Sequence, residues 1–270
     1  MSTHQGVSAK QEVLRRLFEE FQQRQSSVFT NGDVKRIAQQ IGFANPFDVT
    51  KIDSKDILPD EMRDGHYCIA HIGRGRHQFL QELQHWFHDF EHIDENERIR
   101  WRYRKSLLND LDRGEASVIS LVINQHILHD FVYEDVVATP KIYIPGRTRA
   151  NLTYWVGQTY LQTQGLQMEM DLVLEYQGVV TVFEAKDKLL RDFAVYQLFH
   201  PAKFYYEKLY EKLRQAGLSA KVNACYILKS GGGKRSPLVL VRFYLYEFED
   251  FDRLDSIRLV RKAEYHLQPR

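Results

Sequence analysis

The sequence predicts a mixed α/β fold: a central mixed β-sheet flanked by helices, preceded by a small winged helix-turn-helix. Three observations predict it. Apolar residues recur at helical spacing up to Gly42. The strongest strand signals, β-branched and aromatic runs, follow Gln164-Gly165. A helix-type stretch then separates those runs, as a flanking helix must. The expected division is 1–80 for the N-terminal module and 81–270 for the main domain, with 81–147 as a helical linking region.

In order, residues 8–24 place Val13, Leu14, Leu17, Phe18 and Phe21 on one helical face. Thr30 and Asp33 make a capping-box start for a second helix, whose apolar face is Val34, Ile37, Ala38 and Ile41 and whose end is Gly42. Asn45-Pro46-Phe47 opens a third helical segment. Residues 66–72 form a strand, and Gly73-Arg74-Gly75-Arg76-His77 is a basic turn. That order is the winged helix-turn-helix order, in which one helix enters the major groove and the wing holds phosphate. Lys35, Arg36, Lys51, Arg74 and Arg76 are the candidate DNA contacts.

Residues 79–92 read as a helix rich in aromatics and histidine. His88 and His92 stand at i, i+4, but the segment is not HExxH and suggests no third ligand. Residues 115–137 are helical, Ile142–Ile144 a short strand, and 149–163 a helix. A helix starting near Leu189, kinked or split at Pro201, precedes strands at 221–229 and 237–248, with 256–266 as a possible further one.

The chain has 270 residues, 43% hydrophobic and 27% charged, with a net charge of +1, an ordinary globular balance. It contains no apolar run of about 18 residues and its first ten residues lack an apolar signal core, so no membrane span and a cytoplasmic location are expected. Cys68 and Cys225 lie far apart in apolar runs, which suits a reduced compartment rather than a disulfide or metal cluster. Charge is locally concentrated. Lys141, Arg147 and Arg149 form one basic stretch, Lys229, Lys234, Arg235 and Arg242 another, and Arg98, Arg100, Arg102, Arg104 and Lys105 a third, interleaved with Ile99, Trp101 and Tyr103. Gly231-Gly232-Gly233-Lys234-Arg235-Ser236 lacks the Walker pattern and reads as a flexible basic hairpin loop that touches DNA.

Residues 168–187 carry the chemistry. Two β-branched or apolar runs flank Gln177-Gly178, the signature of a hairpin with a two-residue turn. If Tyr176 pairs with Val179, Asp171 falls opposite Glu184, with Cβ atoms roughly 5 Å apart. Lys186 then projects from the face of Glu184. Two close carboxylates repel unless a cation lies between them, and Mg²⁺ takes oxygen ligands while keeping several waters. Such an ion polarises a phosphoryl oxygen and acidifies a bound water. A lysine beside it orients that water or neutralises charge on phosphate, and the Ala185 carbonyl is a further candidate ligand. Asp33-Val34-Lys35 and Asp53-Ser54-Lys55 fit the same short pattern. The first lies on a helix, where i and i+2 diverge, and no buried strand precedes the second.

The hairpin resembles the PD-(D/E)XK nuclease motif, with Met170 where that motif has proline. The resemblance covers 149–229 and implies a restriction-endonuclease-like core. It implies Asp171 and Glu184 as Mg²⁺ ligands, Glu169 as a supporting or alternative ligand, and Lys186 as base or electrophile. Gln197 corresponds to a glutamine that some relatives use. The compact chain, with one N-terminal module and no ATPase motif, resembles a type II restriction endonuclease. The implied partners are double-stranded DNA and a second copy of the chain, with a DNA methyltransferase as genetic partner. A repair or recombination nuclease, a catalytically silent DNA-binding regulator and, last, an RNA-processing nuclease are the alternatives.

Overall fold

The computed structural model describes residues 8–24, 26–104, 106, 114–216, 221–232 and 238–269. Helix α1 (Ala9–Arg24) buries Val13, Leu14, Leu17 and Phe18. Strand β1 (Val28–Thr30) leads into α2 (Asn31–Ile41). The Thr30 side chain accepts the Asp33 amide and the Asp33 carboxylate accepts the Thr30 amide, so the expected capping box is formed, and Gly42 ends the helix in the left-handed region.

The third helix is largely replaced. Two 3-10 turns, Pro46–Asp48 and Lys55–Ile57, precede a five-residue helix α3 (Asp60–Asp64). Pro46 and Pro59 restrict the residues before them to extended backbone, and Val49, Ile52 and Leu58 fold the stretch between into the core. Strands β2 (Cys68–Gly73) and β3 (Arg76–Leu80) complete a three-stranded sheet in the order β1-β3-β2. Arg74 and Gly75 both have positive φ, as a tight hairpin turn requires.

Residues 79–92 are not a helix. They hold the end of β3, one helical turn α4 (Leu83–Trp86) and strand β4 (Phe87–Asp89), whose partner is Asp192–Ala194. Phe87 lies in β4, and Phe90, just past its end, packs against the rings of Phe193, Tyr226 and Tyr244. Strand β5 (Arg98–Tyr103), helices α5 (Glu115–Asn124) and α6 (Ile127–Tyr133), and strand β6 (Lys141–Tyr143) follow. Residues 149–163 are also strands rather than a helix: β7 (Gly146–Ala150), then β8 (Thr153–Val156) and β9 (Thr159–Gln162), joined at Gly157-Gln158. Their period-2 burial, with Tyr154, Val156 and Leu161 inside, overrides the helical reading.

Strands β10 (Leu166–Met170), β11 (Leu172–Tyr176), β12 (Val179–Lys186) and β13 (Asp192–Ala194) precede helix α7 (Tyr196–Gln215). Pro201 lies inside α7 without splitting it; the backbone bond it forfeits is the one to the Gln197 carbonyl. Strands β14 (Lys221–Ser230), β15 (Val239–Phe248) and β16 (Ile257–Pro269) end the fold.

The centre is a seven-stranded mixed sheet, β5-β16-β15-β14-β12-β11-β6, with β12–β14 and β16–β5 parallel and the other pairs antiparallel. One face carries Val180, Val182, Ala224, Tyr226 and Leu228, packs against Leu198 and Phe199 of α7, and is continuous with the core of the N-terminal module. The other carries Phe183, Ala185, Ile227 and Phe243 and packs against Val118, Val122, Leu128 and Phe131 of α5 and α6. Among the described residues no helix is long and apolar enough to cross a membrane.

Candidate functional site

The β11–β12 hairpin has the register read from the sequence: Tyr176 pairs with Val179, and the ladder runs back to Leu172 opposite Phe183. Gln177 and Gly178 both take positive φ, 51° and 80°. The ladder stops one pair before Asp171 and Glu184 would face each other. There the chain bends, and the Asp171 carboxylate takes the place of a partner strand: its Oδ2 accepts the Ala185 amide at 2.8 Å. In an antiparallel pair a residue's N–H and C=O leave the same edge of the strand. The Ala185 carbonyl therefore points toward the gap that Asp171 borders.

Glu184 and Lys186 project from the α7 face of β12, two residues apart. Lys186 Nζ donates to Glu184 Oε1 at 2.7 Å and to Glu115 Oε1 at 2.5 Å. Glu115 stands in the first turn of α5 and reaches the site from beyond the other face. Gln197, in the first turn of α7, donates its side-chain amide to Glu184 Oε1 at 3.3 Å and to Asp53 Oδ1 at 3.1 Å. Its carbonyl oxygen accepts the Tyr226 hydroxyl at 3.2 Å. Tyr226 is the β14 residue directly beside Glu184. The site thus joins side chains from both faces of the sheet and from the N-terminal module.

The electrostatics follow from burial. Only 13% of the Glu184 side chain and 10% of the Lys186 side chain is exposed. Burial pushes the Glu184 carboxyl up to about 8, against the pull of Lys186 and with reinforcement from Asp171. Burial also raises Asp171, against the bond from the Ala185 amide. For Lys186, burial opposes the charge, but Glu184 and Glu115 outweigh it and hold the ammonium above its ordinary range. Two carboxyls thus resist ionisation beside a fixed ammonium, and a metal cation would have to displace their protons to bind.

Glu169 stands near enough to this centre for its charge to add to the rise of the Asp171 carboxyl. It lies on β10 opposite Arg147 of β7, and the two side chains pair at 2.6 Å. Among the described residues no group of three or more His, Cys, Asp or Glu is arranged to hold a metal ion. The remaining donors, the Asp171 and Glu184 carboxylates and the Ala185 carbonyl, are all hard oxygens. That set suits Mg²⁺, which binds through one or two carboxylates plus substrate phosphate rather than in a full protein cage.

The candidate DNA contacts are dispersed. Lys51, Arg74, Arg76 and Arg149 are exposed. Lys35 stands over the Phe47 ring at 4.9 Å. Arg36 is engaged by both oxygens of Glu20, and Arg147 by Glu169. Lys234 and Arg235 lie outside the described residues. Asp53, Glu115 and Tyr226 were missed from sequence. Asp53-Ser54-Lys55 carries the acid-x-lysine signal, but no buried strand precedes it to mark it as part of a site. The segment is nonetheless seated at the site: the Ala194 amide donates to the Asp53 carbonyl and the Lys55 amide to Asp192 Oδ1.

No curated protein and no solved structure matches this chain. Residues 11–79 match the family described as "Domain of unknown function (DUF6996)". Residues 83–266 match the family described as "Domain of unknown function (DUF6997)", and because that match spans most of the chain, the chain belongs to this family.

Proposed function

We propose that this protein is a Mg²⁺-dependent endonuclease that hydrolyses phosphodiester bonds in double-stranded DNA at a short specific sequence, in the manner of a type II restriction enzyme. The observation that carries the reading is the buried Glu184–Lys186 pair at the end of β12, with the Asp171 carboxylate bound to the amide between them. The surrounding order supports a restriction-endonuclease-like core: helix α5, hairpin β11–β12, helix α7, then β14 parallel to β12. The order of helices and strands in residues 9–80 supports a winged helix, although α3 is too short to serve as a full recognition helix.

Asp171, Glu184 and the Ala185 carbonyl would hold Mg²⁺, which supplies a more acidic bound water and polarises the phosphoryl oxygen. Lys186 keeps its proton because Glu184 and Glu115 surround it, so it acts as an electrophile that stabilises charge growing on the phosphate. Gln197 fixes the Glu184 carboxylate by donating to Oε1, which leaves Oε2 for the ion. Tyr226 and Asp53 hold the two ends of the Gln197 amide in that orientation. A second copy of the chain, matching the two-fold symmetry of a palindromic site, completes the reading; a methyltransferase protecting host DNA in the cytoplasm is its genetic counterpart.

The test is plasmid cleavage with Mg²⁺ by the full chain beside Asp171→Asn and Lys186→Gln. Discrete fragments, reduced on the order of 10³-fold or more in both variants, are expected. A smear would move the assignment to a repair or recombination nuclease. Retained DNA binding without cleavage under Mg²⁺ or Mn²⁺ would overturn the enzyme.

A further inference from the structure

The third basic cluster of the sequence is not used by the site described above, yet the sheet connects the two. Strand β5 is the far edge of the seven-stranded sheet. Its Ile99, Trp101 and Tyr103 pack against the α5–α6 core, and Trp101 is pinned by an indole bond to the Gln125 carbonyl at 3.1 Å. Arg98, Arg100 and Arg102 must therefore leave the opposite face, the one that carries Glu184 and Lys186.

The strand registers run straight across: Lys186 lies beside Leu228, Leu228 beside Arg242, Arg242 beside Glu264, and Glu264 beside Arg98. One row on, Leu240, His266 and Arg100 are neighbours, and Gln268 sits beside Arg102. Four strand spacings separate β12 from β5, about 19 Å. Glu264 is the one carboxylate in these rows. It is buried and already met by Arg242 at 2.6 Å, His266 at 2.7 Å and Arg98 at 3.6 Å. The acids Asp94, Glu95 and Glu97 lie at the start of β5, away from Arg100 and Arg102, and Glu97 faces Lys262. Among the described residues no hydrogen bond or ion pair holds Arg100 or Arg102, and both are exposed.

We propose that Arg98, Arg100 and Arg102, with Arg242 and His266 beside them, form a track that holds the phosphodiester backbone of duplex DNA as it leaves the Glu184–Lys186 centre. The proposal rests on the nuclease reading and extends it. The two-residue repeat of β5 is about 6.6 Å, so its arginines are spaced on the scale of the phosphates along one DNA strand. Arginine presents a planar fork suited to phosphate oxygens. The platform is rigid, because each arginine alternates with a residue packed in the core. A membrane surface is a poorer fit, since the apolar members of this strand face the interior rather than accompanying the arginines.

The test is fluorescence anisotropy of a labelled duplex DNA with the full chain, without divalent metal, over a range of KCl. Arg100→Gln/Arg102→Gln should weaken binding about 10-fold or more and reduce the slope of log K against log salt by about 2. Arg100→Lys/Arg102→Lys should keep most of the slope. Lys212→Gln/Arg214→Gln, at the exposed end of α7, removes equal charge elsewhere and should leave slope and affinity in place. Unchanged affinity and slope in the Arg100→Gln/Arg102→Gln variant would overturn the track, as would tighter binding of duplex RNA or anionic vesicles than of DNA. Mg²⁺-dependent plasmid cleavage separates the two readings. Arginine-dependent binding without cleavage keeps the track and removes the nuclease. Cleavage with arginine-independent binding does the reverse.

Discussion

Replacing Glu184 by glutamine should change how stability depends on pH. In the folded chain burial raises this carboxyl from its ordinary 4.5 to about 8. Between those values the folded chain holds a proton that the unfolded chain has lost. Folding therefore takes up a proton, and stability falls as pH rises through that window. Below 4.5 there is no penalty, because both states are protonated; above about 8 the penalty is complete. One proton of difference is worth about 1.4 kcal/mol per pH unit, so between pH 5.5 and 7.5 the wild type should lose up to about 3 kcal/mol that Glu184→Gln does not. Buried His77 and His200 are held neutral and act in the opposite direction at lower pH, which is why the difference between the two proteins is the quantity to measure. Urea unfolding at the two pH values gives it. Mg²⁺ should then restore stability to the wild type at the higher pH by mass action, and not to the variant. Parallel pH profiles for the two proteins would refute the reasoning.

Three further outcomes are expected. Gly73→Ala would place a Cβ 2.0 Å from the Gln164 carbonyl oxygen at a backbone φ of 91°; a loss of about 2 kcal/mol or more in urea unfolding is expected, and a change below about 0.5 kcal/mol would show that the β2–β3 turn is not seated on that loop. Tyr226→Phe removes the hydroxyl that holds the Gln197 amide, so thermal unfolding should register about 1 kcal/mol of lost stability and single-turnover cleavage should slow, whereas a wild-type cleavage rate would remove Gln197 from the positioning role. Phe131→Ala empties a fully buried ring position stacked on Phe243 and should cost about 3–5 kcal/mol, with a smaller value indicating that α6 collapses onto the sheet.

The hairpin was legible because its information is local. Gln177-Gly178 supplies the two left-handed residues of the turn, and β-branched neighbours fix the register on either side. The end of the ladder was not legible. Whether Asp171 faces Glu184 or bends to take the Ala185 amide depends on β10 leaving to pair with β7. The β8–β9 hairpin was not legible although Gly157 and the alternation of Thr153, Tyr154, Trp155 and Val156 are present, because tyrosine and tryptophan on both faces blur the period. Asp53 has no strand beside it to mark it, because what places it is a hydrogen bond from Gln197, 144 residues away. Glu115 likewise needs helix α5 to dock before it meets Lys186.

The bond between Asp53 and Gln197 also limits how this chain can be recombined. Two-module proteins are often diversified by exchanging one module whole. Here an incoming segment in place of residues 1–80 has to deliver an acceptor to the Gln197 amide, or the glutamine loses one of the contacts that aim it at Glu184. Inheritance of the two halves as a matched pair is thus written into a single side-chain contact.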